Sequence, residues 1–264
     1  MMLRRRTLLL GLLVTGVCWL QAAKTARTPA GRGRDFLAGL FDPDLRLLPE
    51  YRGAKVYWLS HDNYLAVKVL AESHPKVSKA IAEAIGREGL PRTDGKTELL
   101  FGDSPGLLPF HEYELTDVRK AGDKVIRTEI KTPRPMKSWE EFADLLFFAS
   151  MAQGKPADAR RLWDKGMLLW DGKGFNDAAT KGQGSYATYK LALAAIAAAR
   201  LTEKPDLPKA LIDRLLALQE ETGGWVTNYS ADGKAIGVSN VETTCLAILG
   251  CEAIQALASK EQKR

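Results

Sequence analysis

Cysteine is nearly missing from this chain, with three among 264 residues. One of them, Cys18, falls in a leader-like segment, which leaves Cys245 and Cys251. On one helix those two would stand about 9 Å apart by rise alone. A disulfide needs a Cα separation below about 7 Å. A disulfide scaffold is therefore excluded, and both read as small buried apolar residues. Histidine is equally scarce. His61, His74 and His111 show no metal-ligand spacing, so neither a metal nor a cofactor is expected. Aromatic residues make up 8% of the chain and form no stripe interleaved with basic residues, so no nucleic-acid partner is expected. Gly172-Lys-Gly174 lacks the preceding strand and the following Lys-Ser/Thr of a phosphate loop. The positive surplus is small, 38 basic against 32 acidic residues, and three of the basic ones are Arg4, Arg5 and Arg6.

What is present begins with a leader. Met1–Ala23 has a basic start, an apolar run from Leu8 to Leu20 and a small pair, Ala22–Ala23. That is the pattern of a secretory signal peptide or an N-terminal anchor. The run is short for a membrane span, which needs about 20 residues. Residues 24–35 read as a linker, 36–259 as one domain and 260–264 as a frayed tail. The protein is expected outside the cytoplasm: periplasmic, secreted or anchored at the outer face of the membrane, which it touches only through its N-terminal segment.

The domain reads as helices of two kinds. Those at about 61–72, 139–152, 186–201 and 240–258 are apolar over most of their surface. Those at 74–87, 156–169 and 207–219 have one wet face. Ser60, Ser138 and Ser239 sit where N-caps belong, and Glu141 and Glu242 three residues after a serine complete capping boxes. Residues 86–109 read as loop with a short strand at 98–101. Between 112 and 131 the period changes to two around Lys120-Ala-Gly-Asp123, a β-hairpin signal.

The stretch Gln219–Trp225, QEETGGW, leads through a loop to Asn-Val-Glu-Thr-Thr and an Ala/Leu-rich helix. It resembles the repeat unit of the α/α toroids, the group of terpenoid cyclases, protein prenyltransferase β-subunits, thioester-domain proteins and six-hairpin glycosidases. The chain as a whole also looks like exported or membrane-anchored prokaryotic proteins with this helical pattern. The aspartate-rich motif of the cyclases and the zinc ligands of the prenyltransferases are absent. The resemblance implies an all-α fold, a partial α/α toroid of alternating inner and outer helices, with the small hairpin inserted near 112–131.

Parallel inner helices would gather their N-termini at one mouth. Carboxylates there can work as an acid–base pair across a glycosidic bond; the candidates are Asp62, Asp177, Glu140 and Glu242. Amides and aromatics furnish sugar sites by hydrogen bonding and stacking. The binding candidates are His61, Asn63, Trp139, Phe175, Asn176, Tyr186, Trp225, Tyr229 and Asn240. His61, Asp177 and Tyr186 are the least explained by local structure. The expected function is to bind carbohydrate or another cell-envelope ligand, with glycoside hydrolysis as the activity if the protein is an enzyme. A non-catalytic protein-binding scaffold and a lipid- or isoprenoid-binding toroid are the alternatives.

Overall fold

The computed structural model describes residues 28–89, 96–102 and 110–261. The expected signal peptide over 1–23 and the last three residues of the tail lie outside that range. Nine α-helices occur among the described residues: α1 (Pro29–Ala38), α2 (Tyr64–Leu70), α3 (Pro75–Arg87), α4 (Lys96–Leu100), α5 (Ala143–Met151), α6 (Pro156–Met167), α7 (Thr188–Arg200), α8 (Lys209–Ala217) and α9 (Val241–Glu261). Six strands accompany them: β1 (Val56–Trp58), β2 (His111–Ala121), β3 (Lys124–Pro135), β4 (Ser185–Ala187), β5 (Val226–Ser230) and β6 (Ala235–Ser239).

The all-α toroid is thereby corrected. Helix accounts for 48% and strand for 21%, with two three-stranded sheets, so the fold is mixed α/β. The expected hairpin is present as β2 and β3, antiparallel and turned at Gly122. It recruits β1, which runs parallel to β3 with Val56 opposite Val125. The second sheet has the order β4-β5-β6. Its two longer strands occupy what reads as a tryptophan-bearing loop. Strands of five residues, half of them polar, carry too little alternation to show in sequence.

The core is helical. α9 packs against α7, α1 and α2, while α5 packs against α6 and α7. The α7–α9 approach depends on Gly250: a Cβ there would stand 2.8 Å from the Ala192 Cβ. α9 carries a stretch at Val241–Ser259 with mean hydropathy 1.4, half buried within the fold. Its apolar character serves its first half, residues 241–251, which is mostly buried, while residues 252–259 are intermediate or exposed.

Four local readings change. The linker expected over 24–35 is helix from Pro29 onward, with Phe36 and Leu37 in the core. The expected strand at 98–101 is α4. Ser138 adopts φ 54° and caps nothing; α5 begins five residues later, after an extended Phe142. The last capping box shifts by one residue. Asn240 Oδ1 accepts from the Thr243 N–H at 2.9 Å, and Ser239 instead donates to Glu220. Glu242 is thus released from a capping role.

Asp42 ties the first sheet to the chain before it. Its Oδ2 accepts from Tyr57 Oη at 2.7 Å and Lys124 Nζ at 2.5 Å. Its Oδ1 accepts from the N–H groups of Asp44 and Leu45. Burial pushes this carboxyl upward, but the bonds from Lys124, Tyr57 and the two N–H groups outweigh it and bring it from 3.8 down to about 2. A pKa depressed by folding gives stability that is present above the unfolded value and lost as pH falls through the folded one. Asp42→Asn is expected to cost about 1–2 kcal/mol near neutral pH, after discounting for partial solvent screening. It should also flatten the loss of stability between about pH 4 and pH 2. Denaturant midpoints measured across that range check both; an unchanged acid slope in the variant would count against this anchor.

Candidate functional site

The site is built where β1 gives way to α2. The connecting residues, Leu59–Asn63, form a π-helical turn, a wide turn that recurs at functional positions. Asn63 fixes it: Oδ1 accepts from the Leu48 N–H at 2.7 Å, and Nδ2 donates to the carbonyls of Leu48 and Trp58. The neighbouring segment also holds the start of α9, since the Val241 N–H donates to the Glu50 carbonyl at 2.9 Å. Together these bonds set His61 and Asp62 against Glu242. Donor atoms of the three side chains lie within 4.8 Å of one another.

This cluster adjoins a cavity of about 270 Å³. Acid side chains enter it from three elements: Glu129 from β3, Asp144 from α5 and Glu242 from α9. Tyr113 and Tyr189 line it too, with the Lys96 ammonium 4.8 Å over the Tyr113 ring, and Leu65, Leu193 and Leu246 give an apolar floor. A second cavity of about 630 Å³ adjoins the first, sharing Lys96, Tyr113 and Asp144 and continuing past Phe110 and Phe142.

Carboxylates set most of the electrostatics, with Lys96, which lines both cavities, opposing them. Burial pulls the His61 imidazole down, but Glu242, Asp62 and Glu129 outweigh it, so its pKa is raised. Glu129 Oε2 stands 3.7 Å from His61 Nδ1, and Ser60 Oγ stands 3.2 Å from the same nitrogen. The His61 ring leans on Trp58 at 5.2 Å between centroids. Asp62 is 2% exposed. Burial, opposed by His61 and reinforced by Glu242, Glu50 and Glu129, pushes its carboxyl well above the usual range. Its Oδ2 is buried without a hydrogen-bond partner. Tyr189 Oη donates to Asp144 Oδ2 at 3.2 Å, and burial raises that phenol well above its ordinary value.

Of the thirteen candidate residues, His61, Asp62 and Glu242 come together here. The other ten do not join this cluster. Asp177 is buried, bonded to Lys190 and to the Ala143 N–H that opens α5. Glu140 pairs with Lys165 on the surface, beside Trp139. Asn63 is the clamp described above, and Asn240 is the α9 cap. Phe175 is buried against Phe147 and Trp170. Asn176 is exposed, with its N–H on the Leu169 carbonyl. Tyr186 donates to Asp171 and stacks on Tyr229 at 5.5 Å, while Tyr229 and Trp225 are wholly buried. Neither cysteine takes part: burial pushes the Cys251 thiol up to about 12 and the Cys245 thiol well above its ordinary value, leaving both inert.

The cleft residues that escape the sequence reading include Glu129, Asp144, Tyr113, Tyr189 and Lys96. Glu129 is one of many charges in an alternating hairpin. Asp144 carried a usable signal, a lone charge at the start of an otherwise apolar helix. No protein-family model, curated protein or solved structure matches the chain, so the chemistry of the site rests on its own residues.

Proposed function

We propose that the protein binds carbohydrate in the groove formed by the two adjoining cavities. The observation that carries this reading is the company of Glu129, Asp144 and Glu242 with Tyr113 and Tyr189 around one open space. Carboxylates accept hydrogen bonds from sugar hydroxyls, and tyrosine faces lie against the apolar face of a ring. The continuation past Phe110 and Phe142 gives room for more than one sugar unit. Charged walls suit this ligand better than a lipid or isoprenoid, which asks for a continuous apolar tunnel. If a bound glycan is cleaved, Glu129 and Glu242, which both lie near His61 and line the cavity, are the carboxylates placed to act as acid and base.

A glycan array screened with the soluble protein tests the reading. Binding of an oligosaccharide is expected, with affinity reduced at least tenfold, about 1.4 kcal/mol, in Glu242→Gln and in Tyr113→Ala. Both variants should keep the wild-type melting transition to within a few degrees. A well-folded wild-type protein that binds no glycan would overturn the proposal.

A further inference from the structure

We infer that His61, Asp62 and Glu242 form a site for one divalent transition-metal ion of the zinc or manganese class, opening onto the cleft. The site goes beyond the carbohydrate reading and does not depend on it. One imidazole and two carboxylates lie with donor atoms within 4.8 Å of one another. Donors bound about 2.0–2.2 Å from such an ion stand roughly 3–4 Å apart. Glu242 is partly exposed and has the freedom to close that difference.

The independent observation is Asp62. This side chain is 2% exposed, and its Oδ2 is buried with no hydrogen-bond partner. An unsatisfied buried carboxylate oxygen is costly and calls for an explanation. A cation at the cluster supplies one. His61 is also arranged as a ligand would be. Metal-bound imidazoles usually have their other nitrogen held by a carboxylate or similar group. Here Nδ1 faces Ser60 Oγ and the Glu129 carboxylate, so Nε2 is the nitrogen available to an ion. A mixed nitrogen–oxygen set favours zinc, manganese or iron over calcium and magnesium, which prefer all-oxygen shells. Three protein donors leave coordination positions open. His61 and Glu242 both line the cavity, so those positions face it.

Calorimetric titration of the chelator-treated full chain with Zn²⁺, Mn²⁺ and Mg²⁺, without glycan, tests the inference. One equivalent of Zn²⁺ or Mn²⁺ is expected, with Mg²⁺ at least tenfold weaker. Saturating metal should raise the melting temperature by several degrees, since an ion bound only by the folded state stabilises it. His61→Ala and Glu242→Gln should each lower the affinity at least tenfold. Glu140→Gln, a surface carboxylate elsewhere, should leave it unchanged. Glu242→Gln is nearly isosteric and partly exposed, so it tests the site even if His61→Ala folds poorly. No binding by the wild type, or equal binding in the wild type and Glu242→Gln, overturns the inference. Metal binding without glycan binding would leave this site standing and defeat only the carbohydrate reading.

Discussion

Replacing Lys190 with methionine is expected to destabilise the fold by about 3–5 kcal/mol, the usual result of stranding one member of a buried ion pair. Lys190 is 1% exposed, in the first turn of the apolar helix α7. Its Nζ stands 2.5 Å from Asp177 Oδ2 and 3.6 Å from Asp144 Oδ1. Asp177 is also the hub of its loop. Oδ2 accepts from the Ala143 N–H at the start of α5, and Oδ1 accepts from the Ala179 N–H. A carboxylate at a helix N-terminus is favourable, but a buried one without its cation is not. The variant should therefore melt roughly 6–20 °C lower, at about 2–4 °C per kcal/mol for a domain of this size. Adding Asp177→Asn to Lys190→Met should recover part of the loss, because no uncompensated charge then remains. A loss below about 1 kcal/mol in the single variant would show that this pair does not hold α5, α7 and their loop together. Lys190 also steadies Asp144, so glycan affinity should fall in the same variant.

Lys190 shows what the sequence carries and what it hides. A single lysine among Leu, Ala and Ile over 188–200 announces a buried charge, but its partner lies 13 positions away in a glycine-rich loop. A helical period of 3.6 was legible at α3 and α6, and long apolar runs marked α7 and α9. Period two was legible at β2 and β3, where the strands run to 11 and 12 residues. The sheet β4-β5-β6 was not: Ser185 pairs with Ser230 across 45 positions, and no local pattern records a pairing of that range. α1 was hidden for a different reason. Gly31 and Gly33 give PAGRGRDFLA weak helix propensity, and tertiary packing overrides it. At the site, His61, Asp62 and Glu242 stood out as charges at helix entries. Glu129 and Asp144 reach the same space from a hairpin and another helix, and only the fold brings them there.

The second large loss is expected from Trp225→Ala, again about 3–5 kcal/mol. Trp225 is wholly buried. Its indole N–H donates to the Leu215 carbonyl in α8 at 2.8 Å, and its backbone N–H donates to Thr244 Oγ1 in α9 at 3.1 Å. α1 closes over the ring: a Cβ added at Gly33 would stand 2.8 Å from Trp225 Cζ3 and 2.8 Å from Ile248 Cγ1. One residue thus joins three helices, and truncating its side chain leaves both a cavity and a carbonyl without its donor. Gly33→Ala should destabilise the wild-type protein through the same crowding, by roughly 1–3 kcal/mol. In the Trp225→Ala background the added methyl meets less of the ring, so the two changes should be less costly together than their sum, by about 0.5–3 kcal/mol. Ile248 keeps the relief incomplete. Urea denaturation of the four proteins measures the coupling. An exposed sugar platform would behave in the opposite way: Trp225→Ala would keep its melting temperature and lose its ligand. Buried between α1, α8 and α9, Trp225 should instead lose stability while the folded fraction keeps its glycan affinity. Unchanged stability in Trp225→Ala would refute this account of how α1 is held.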